Sequence, residues 1–210
     1  MFVKEIWRYP VKSLAGERVQ QIEVGLQGFA GDRTIHVERR GRIVTSRTDH
    51  KLLGLKGTLD ALGGALINGH PWNSQQALAL VKAAAGPDAE LVKANQGLFD
   101  VLPLLVATDG AIAHMNMDSR RFRPNLIIGA VDSLAERTWP GRQLRIGDVR
   151  IDVAQLRGRC VMTTYDPDTL KQDLNVLKRI VKELGGKMAL DCAVVSPGVI
   201  AEGVEVFLED

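Results

Sequence analysis

Cys160 is the residue of this chain whose surroundings most clearly favour chemistry. Arg157 and Arg159 lie just before it, a hydroxyl follows at Thr163, and a carboxylate follows at Asp166. Cationic neighbours favour the thiolate over the thiol, and the thiolate is the form that binds soft metals or attacks sulfur. We therefore expect the protein to work through the sulfur of Cys160 if that sulfur is accessible.

The carboxylate of Asp166 allows two interpretations. It is placed to cap a helix that begins at Pro167, because aspartate accepts N–H groups at helix starts and proline suits the first helical position. It is also close enough in sequence to Cys160 to relay protons as a catalytic group. Both roles can hold together, and capping is the more conservative one.

Four further segments place basic and hydroxyl side chains beside candidate strands. Arginine forks match phosphate oxygens, and hydroxyls or backbone N–H groups complete such sites. If these loops converge, they can bind one anionic ligand, whereas each arginine taken singly is typical of a solvated surface. The segments are Lys12-Ser13, Gly31-Asp32-Arg33, Thr45-Ser46-Arg47 and Arg120–Asn125.

The tripeptide Arg123-Pro124-Asn125 is the most constrained of these. Proline disfavours helical geometry in the residue before it, so the pattern predicts an extended, restrained Arg123. The side chain of Asn125 can donate and accept hydrogen bonds at once. A simple turn before a strand is the alternative interpretation.

The bulk properties limit the function classes. The chain has 210 residues, a formal net charge of +2 and 45% hydrophobic residues, which indicates a globular protein and gives no sign of nucleic-acid binding. No apolar run is long enough to span a membrane, and the N-terminus does not resemble a signal peptide. With only Cys160 and Cys192 we expect a reducing, cytoplasmic setting, with a single disulfide as the alternative. Cys192 is otherwise expected in the core.

The element pattern is mainly β, of the α+β class. Short alternating runs between glycine turns predict strands, including one over 19–24 and a hairpin around Gly147-Asp148. Thr108-Asp109 is predicted to cap a helix. The clearest helix is predicted from Asp166-Pro167 to Gly185-Gly186, with a buried face formed by Leu170, Leu174, Leu177, Val181 and Leu184. We expect a barrel-like β core with a few peripheral helices. A soft boundary separates residues 1–98 from 99–210, or the two parts form one intertwined unit.

Together and in this order, several segments resemble the MOSC family, named for the molybdenum cofactor sulfurase C-terminal domain. The resemblance implies an N-terminal MOSC β-barrel part over 1–98 and the MOSC domain proper over 99–210. One departure is Glu202-Gly203-Val204, where the family usually has an acidic Gly-Asp. The matching segments are Tyr9-Pro10-Val11-Lys12-Ser13, Gly31-Asp32-Arg33, Arg121–Asn125, Arg159–Thr164 with Asp166–Thr169, and Pro197–Ile200.

Relatives in this family include the amidoxime-reducing components, which reduce N-hydroxylated compounds at a molybdenum cofactor. The resemblance implies that Cys160 ligates molybdenum and that Thr163 lines the site. Ser46 and Arg47 lie in a less well matched segment and carry over more weakly. The residues implied to hold the molybdopterin and its phosphate are Lys12, Ser13, Arg33, Arg123, Asn125 and Arg159.

The resemblance implies an oxidoreductase that takes oxygen from N-hydroxylated or N-oxide compounds. Its electrons would come from a separate flavin or iron–sulfur reductase, since two cysteines cannot ligate an iron–sulfur cluster. The alternative is a sulfur carrier that holds a persulfide on Cys160. Pyridoxal phosphate is not expected, because no lysine stands out as a Schiff-base candidate. A β-rich binding protein without catalysis is the third possibility. Among the histidines, only His114 is a candidate to face a ligand.

Overall fold

The computed structural model describes residues 1–210 and is mostly β, with three α-helices and four short 3-10 turns. The helices are α1 (Gln75–Ala85), α2 (Asp109–Met115) and α3 (Leu174–Leu184), and the 3-10 turns are His50–Gly54, Ser119–Phe122, Ala135–Thr138 and Val161–Thr164. The strands are β1 (Phe2–Arg8), β2 (Glu17–Val19), β3 (Gln21–Gly25), β4 (Gly28–Phe29), β5 (Ile35–Arg39), β6 (Arg42–Val44), β7 (Gly57–Leu59), β8 (Ala65–Ile67), β9 (His70–Pro71), β10 (Ala89–Lys93), β11 (Leu104–Thr108), β12 (Leu126–Gly129), β13 (Gln143–Ile146), β14 (Val149–Gly158), β15 (Lys187–Ser196), β16 (Gly198–Ala201) and β17 (Val206–Glu209).

The main sheet has eight strands in the order β17-β13-β14-β15-β11-β12-β1-β2. Adjacent strands in this sheet are antiparallel, except that β11 and β12 run parallel to each other. The longest pair, β14 with β15, places Val153 opposite Cys192, and both side chains are buried in the largest hydrophobic core. The prediction that Cys192 is a core residue is confirmed.

The first strands of the chain lie in sheets that the second half also builds. β1 pairs with β12, and β3 pairs with β16. Strands from both sides of the predicted division thus share sheets. The division between residues 98 and 99 itself stays a prediction. The mainly β, α+β class is confirmed. The main sheet is not closed, because β17 and β2 are its two edges and are not paired with each other, so the barrel also stays a prediction.

Two local strand predictions have different outcomes. The single strand expected over 19–24 is wrong, because the chain changes partners at Gln20: β2 pairs with β1, whereas β3 pairs with β16 and β4. The hairpin around Gly147-Asp148 is confirmed as β13 and β14, and Gly147 has a positive φ of 58° in its turn.

Helix α3 begins later than the sequence predicts. The Asp173 side chain accepts the N–H of Asn175 at 2.9 Å and caps the helix, and Gly185 ends it with a φ of 63°. The predicted start at Asp166-Pro167 is wrong, because Leu170 has a left-handed φ of 57° and interrupts any helix there. Asp166 instead closes a turn by accepting the N–H of Thr169 at 2.9 Å.

The predicted apolar face of α3 is also partly wrong. Leu174 and Val181 are 54% and 56% exposed, whereas Leu184 is buried as expected. The true core side of the helix is formed by Val176 and Ile180 together with Leu184. Val176, Ile180 and Leu184 recur every four residues, so the sequence contains a second apolar stripe beside the predicted one, and this second stripe is the one that is buried.

The remaining small sheets build a second core beside the main one. They are β10-β5-β6 and β7-β8-β9, and they pack with α1. The hydroxyl of Ser74 accepts the N–H of Ala77 at 3.2 Å and caps α1. In the same way Thr108 caps α2, as the sequence predicts. None of the helices has the length and apolar character needed to cross a bilayer.

Candidate functional site

Five strand ends bring the basic segments to one cavity. Lys12 and Ser13 follow β1, Arg33 precedes β5, and Arg47 follows β6, while the remaining members precede β12 or follow β14. Backbone bonds hold the first two segments together, since the Arg33 N–H donates to the Tyr9 carbonyl at 2.8 Å. The sequence-predicted residues that line the cavity are Lys12, Ser13, Arg33, Arg47, Arg123, Asn125, Arg159 and Cys160.

The thiol of Cys160 lies on the cavity wall and is half-buried. Strand β14 ends at Gly158, and the turn Val161–Thr164 follows Cys160 directly. Thr163 fixes this turn, because its hydroxyl donates to the Cys160 carbonyl at 2.9 Å. Both cysteines are free thiols, so the disulfide alternative is wrong.

The two arginines before Cys160 have different surroundings. Arg157 Nε donates to Oδ1 of the fully buried Asp191 at 2.5 Å. Arg159 donates to the Phe122 carbonyl at 2.8 Å, and its Nε is buried without a hydrogen-bond partner. Burial lowers the pKa of Arg159 to about 10, against the opposing effect of Cys160. Arg159 therefore remains a cation at neutral pH with one donor free.

Three cavity residues adopt left-handed backbone geometry. Ser13, Arg33 and Arg123 have φ values of 73°, 52° and 54°. Such geometry is uncommon for residues other than glycine, and it persists where the surrounding structure enforces it. The prediction of an extended Arg123 is wrong, because this residue ends the turn Ser119–Phe122 and donates its N–H to the Arg120 carbonyl at 3.2 Å.

The buried ring of Tyr9 supports two of the cations. The Arg33 and Arg123 guanidinium carbons lie 4.9 Å and 4.4 Å from the ring centroid. Burial raises the pKa of Tyr9 to about 12, although the two arginines oppose this, so the phenol stays neutral. Burial also lowers the pKa of Arg123 to about 10. Face contacts of this kind attract cations and restrict their side chains.

Asp32 is the buried acceptor that organises the same region. Its Oδ1 accepts the Tyr9 N–H at 2.6 Å, and its Oδ2 accepts from Asn125 Nδ2 at 3.1 Å. Arg33 also pairs with this carboxylate. Asn125 Oδ1 in turn accepts the Leu105 N–H at 3.1 Å. The network fixes Arg33 and Asn125 relative to each other, although they are 92 positions apart in the chain.

The sequence of the chain matches two known protein-family domains. The MOSC domain matches residues 103–207, and the MOSC N-terminal beta barrel domain matches residues 1–102. The chain belongs to the MOSC family.

Named relatives of this MOSC chain include two human proteins. It is 37% identical over 89 residues to mitochondrial amidoxime reducing component 2 of Homo sapiens, a match that covers 38% of the chain and 26% of that protein. It is 24% identical over 279 residues to mitochondrial amidoxime-reducing component 1 of Homo sapiens, covering 98% of the chain and 82% of that protein. The first match therefore spans about a quarter of the length of its relative.

A solved structure supports the fold of this MOSC chain. The YUAD protein from Bacillus subtilis superimposes with a TM-score of 0.56 at 10% sequence identity, covering 100% of the chain and 95% of that protein. At this identity the likeness concerns the fold alone.

Not every sequence-predicted residue of the MOSC chain lines the cavity. Ser46 is fully buried behind it, with its hydroxyl 3.4 Å from the Met162 sulfur. Thr163 is also buried and holds the Cys160 turn from behind. Asp166 lies outside the lining and accepts from Arg121 at 2.9 Å. His114 is not among the lining residues and lies 3.4 Å from Glu183.

Several cavity residues could not be found by motif. Phe99, Asp100 and Leu102 line the cavity from an irregular segment with no strand or helix pattern. Asp32 lies within one of the matching segments, but its burial as a shared acceptor depends on tertiary contacts. Arg121 likewise lies within a matching segment, Arg121–Asn125, but its place on the cavity wall beside Asp166 depends on tertiary contacts.

Proposed function

We propose that this chain is a molybdenum-cofactor oxidoreductase that reduces N-hydroxylated or N-oxide compounds. The observation that carries the proposal is the Cys160 thiol on the wall of a cavity lined by seven cationic side chains and one carboxylate. A sulfur donor beside a dense group of cations suits a ligand that combines a metal bound through sulfur with an anionic phosphate. The named relatives support the same reaction class.

The donors of the cavity fit that cofactor. Cys160 would ligate the molybdenum, because thiolate suits a metal already held by sulfur. The buried, unpartnered Nε of Arg159 is a donor that an anionic ligand would satisfy. Ser46 and Thr163 would support the site from behind its wall. The residues that would hold the phosphate and the rest of the molybdopterin are Lys12, Ser13, Arg33, Arg47, Arg123 and Asn125.

When bound, the cofactor would supply two-electron transfer and acceptance of the substrate oxygen. In the overall reaction an N–OH group takes up two electrons and two protons, which gives N–H and water. The electrons would come from a separate flavin or iron–sulfur reductase. The chain would bind the cofactor, orient it through the arginine network and present Cys160 at a fixed place.

Asp166 contacts the cavity only indirectly, through Arg121. Its carboxylate accepts from Arg121, which lines the cavity. Hydrogen bonds from Thr169 hold the pKa of Asp166 below its usual range. We propose that Asp166 acts on the site by positioning Arg121, because a carboxyl whose pKa lies below its usual range is ionised at neutral pH and has no proton to deliver.

The test is molybdenum per chain, measured by elemental analysis after expression in a host that makes the cofactor. Wild type should carry nearly stoichiometric metal and reduce an amidoxime with a chemical or enzymatic electron donor. Cys160→Ala should lose the metal or bind it loosely. Cys192→Ala is the matched control, because Cys192 lies in the core and should leave metal content unchanged.

Absence of molybdenum from wild type would contradict the proposal. The persulfide-carrier alternative would then be examined by intact mass, which would show one additional sulfur atom that disappears in Cys160→Ala. The half-buried Cys160 thiol in a cationic cavity is the observation that favours this second candidate.

A further inference from the structure

The carboxylate of Asp100 forms ion pairs with two of the cationic side chains that would hold an anionic ligand. Lys12 Nζ donates to Asp100 Oδ1 at 2.6 Å, and Arg47 donates to Asp100 Oδ2 at 2.7 Å. Asp100 is the one carboxylate among the residues that line the cavity. Its two oxygens therefore use donors that a phosphate group would also need.

Residues 97–102, the covering segment, are attached to the cavity at neighbouring positions. Lys12 Nζ also donates to the Leu98 carbonyl at 3.0 Å. The Leu98 N–H donates to the Arg33 carbonyl at 3.0 Å, and the Phe99 ring centroid lies 5.7 Å from the Arg33 guanidinium carbon. Backbone, aromatic and carboxylate groups of one short segment thus contact the same two residues, Lys12 and Arg33.

The cavity under this segment is small for a cofactor. Its volume is about 110 Å³, whereas sites for drug-sized ligands enclose roughly 300–1,000 Å³. Moving Phe99 and Asp100 outward would enlarge the space and release Lys12 and Arg47. No regular strand or helix would have to be broken, because residues 94–103 contain neither.

Asp100 carries its charge in this position. Burial disfavours the charged carboxylate, but hydrogen bonding and attraction from Lys12, with Arg47, hold the pKa of Asp100 below its usual range. An incoming anion therefore meets a second anion on the same donors. Because like charges at one site disfavour each other, binding of a phosphate favours release of the carboxylate.

We propose that Asp100 is an internal competitor for the anion site, and that the covering segment opens when a phosphate group replaces its carboxylate. The inference rests on the proposed role of Lys12 and Arg47 in holding the cofactor phosphate. In the closed arrangement the carboxylate keeps these cations ordered and paired. The competition also lowers the apparent affinity of the site for small anions, because that affinity is the intrinsic affinity multiplied by the fraction of molecules that are open.

The test uses the full chain from a host that cannot make the cofactor, with inorganic phosphate as the probe. Calorimetric titration should show that Asp100→Asn binds phosphate about tenfold more tightly than wild type. Asp88→Asn is the matched control, since Asp88 pairs with the exposed Arg40, and it should bind like wild type. Equal or weaker binding by Asp100→Asn, or no phosphate binding by either protein, would overturn the proposal.

Hydrogen exchange of the wild type supplies a measurement that needs no variant. Phosphate should accelerate exchange of the Leu98 amide, which donates to the Arg33 carbonyl in the closed arrangement. Unchanged or slower exchange of the Leu98 amide would contradict the proposed opening of the covering segment.

The proposed competition by Asp100 and the proposed molybdenum-cofactor function can be contradicted independently of each other. Tighter phosphate binding by Asp100→Asn, without molybdenum in chains from cofactor-competent hosts, would sustain the competitor and contradict the proposed function. Molybdenum loading with no effect of Asp100→Asn on phosphate binding would contradict the competitor alone.

Discussion

The guanidinium carbon of Arg123 lies 4.4 Å from the centroid of the buried Tyr9 ring. Arg33 contacts the same ring, so one aromatic side chain holds two cations of the cavity. The tyrosine hydroxyl donates to the Pro124 carbonyl at 3.1 Å. Ring and hydroxyl therefore have separable roles.

Substitutions at Tyr9 should separate those roles. Tyr9→Phe removes one buried hydrogen bond and should lower the free energy of unfolding by about 1 kcal/mol, with little change in phosphate affinity. Tyr9→Leu also removes the cation–π contacts and should weaken phosphate binding by roughly tenfold. Urea unfolding and calorimetry of the cofactor-free chain measure both effects. Equal phosphate affinities for the two variants would show that the ring does not organise the arginines.

The buried pair of Arg157 and Asp191 should be necessary for stability. Asp191→Ala leaves the Arg157 guanidinium without its carboxylate and should cost about 3–5 kcal/mol in urea unfolding. Arg157→Leu combined with Asp191→Leu should cost less than Asp191→Ala, because no buried charge is left unpaired.

The exposed pair of Arg40 and Asp88 provides the control for that prediction. Its side chains are 83% and 49% exposed, so Asp88→Ala should change the unfolding free energy by less than about 1 kcal/mol. A similar loss for Asp88→Ala and Asp191→Ala would argue against the importance of burial.

Helix α3 provides a matched pair of core and surface positions. Ile180 is fully buried, so Ile180→Ala should lower the unfolding free energy by about 2–5 kcal/mol. Leu174 is exposed, and Leu174→Gln should change it by less than about 0.5 kcal/mol. Urea unfolding of both variants checks the orientation of the helix, and a large loss in Leu174→Gln would contradict it.

Glu136 should make stability depend on pH. Burial raises the pKa of this carboxyl, which is 1% exposed and accepts from the Thr108 hydroxyl at 3.2 Å. Between the ordinary pKa and the raised folded value, the folded chain binds more protons than the unfolded chain. Stability from this group is therefore fully present below the ordinary pKa and is lost as pH rises through the folded pKa.

Glu136→Gln should remove this dependence. Measured against wild type at each pH, the variant should gain relative stability from pH 4 to pH 7, because it has no carboxyl to ionise. Urea unfolding at several pH values in this range measures the difference. A stability difference that stays constant over the range would contradict the prediction.

Features that depend on neighbours in sequence were predictable. The β13–β14 hairpin follows from turn chemistry at Gly147, and the cap at Thr108 follows from its side chain. The placement of Cys160 just after a strand, among cations, is likewise visible in the sequence. The start of α3 was missed because the side chains of Asp166 and Asp173 can both accept N–H groups, and the left-handed Leu170 decides between them.

The sequence by itself determined the MOSC relationship, the mainly β class and the segments that carry the cations and the thiol. Only the tertiary structure decided which of them meet at one cavity, that Asp100 pairs with Lys12 and Arg47, and that Asp166 contacts Arg121. The physical reason is the distance along the chain between the residues that interact. Turns and caps arise from bonds between residues a few positions apart, whereas the cavity forms when pairing of distant strands brings their loops together.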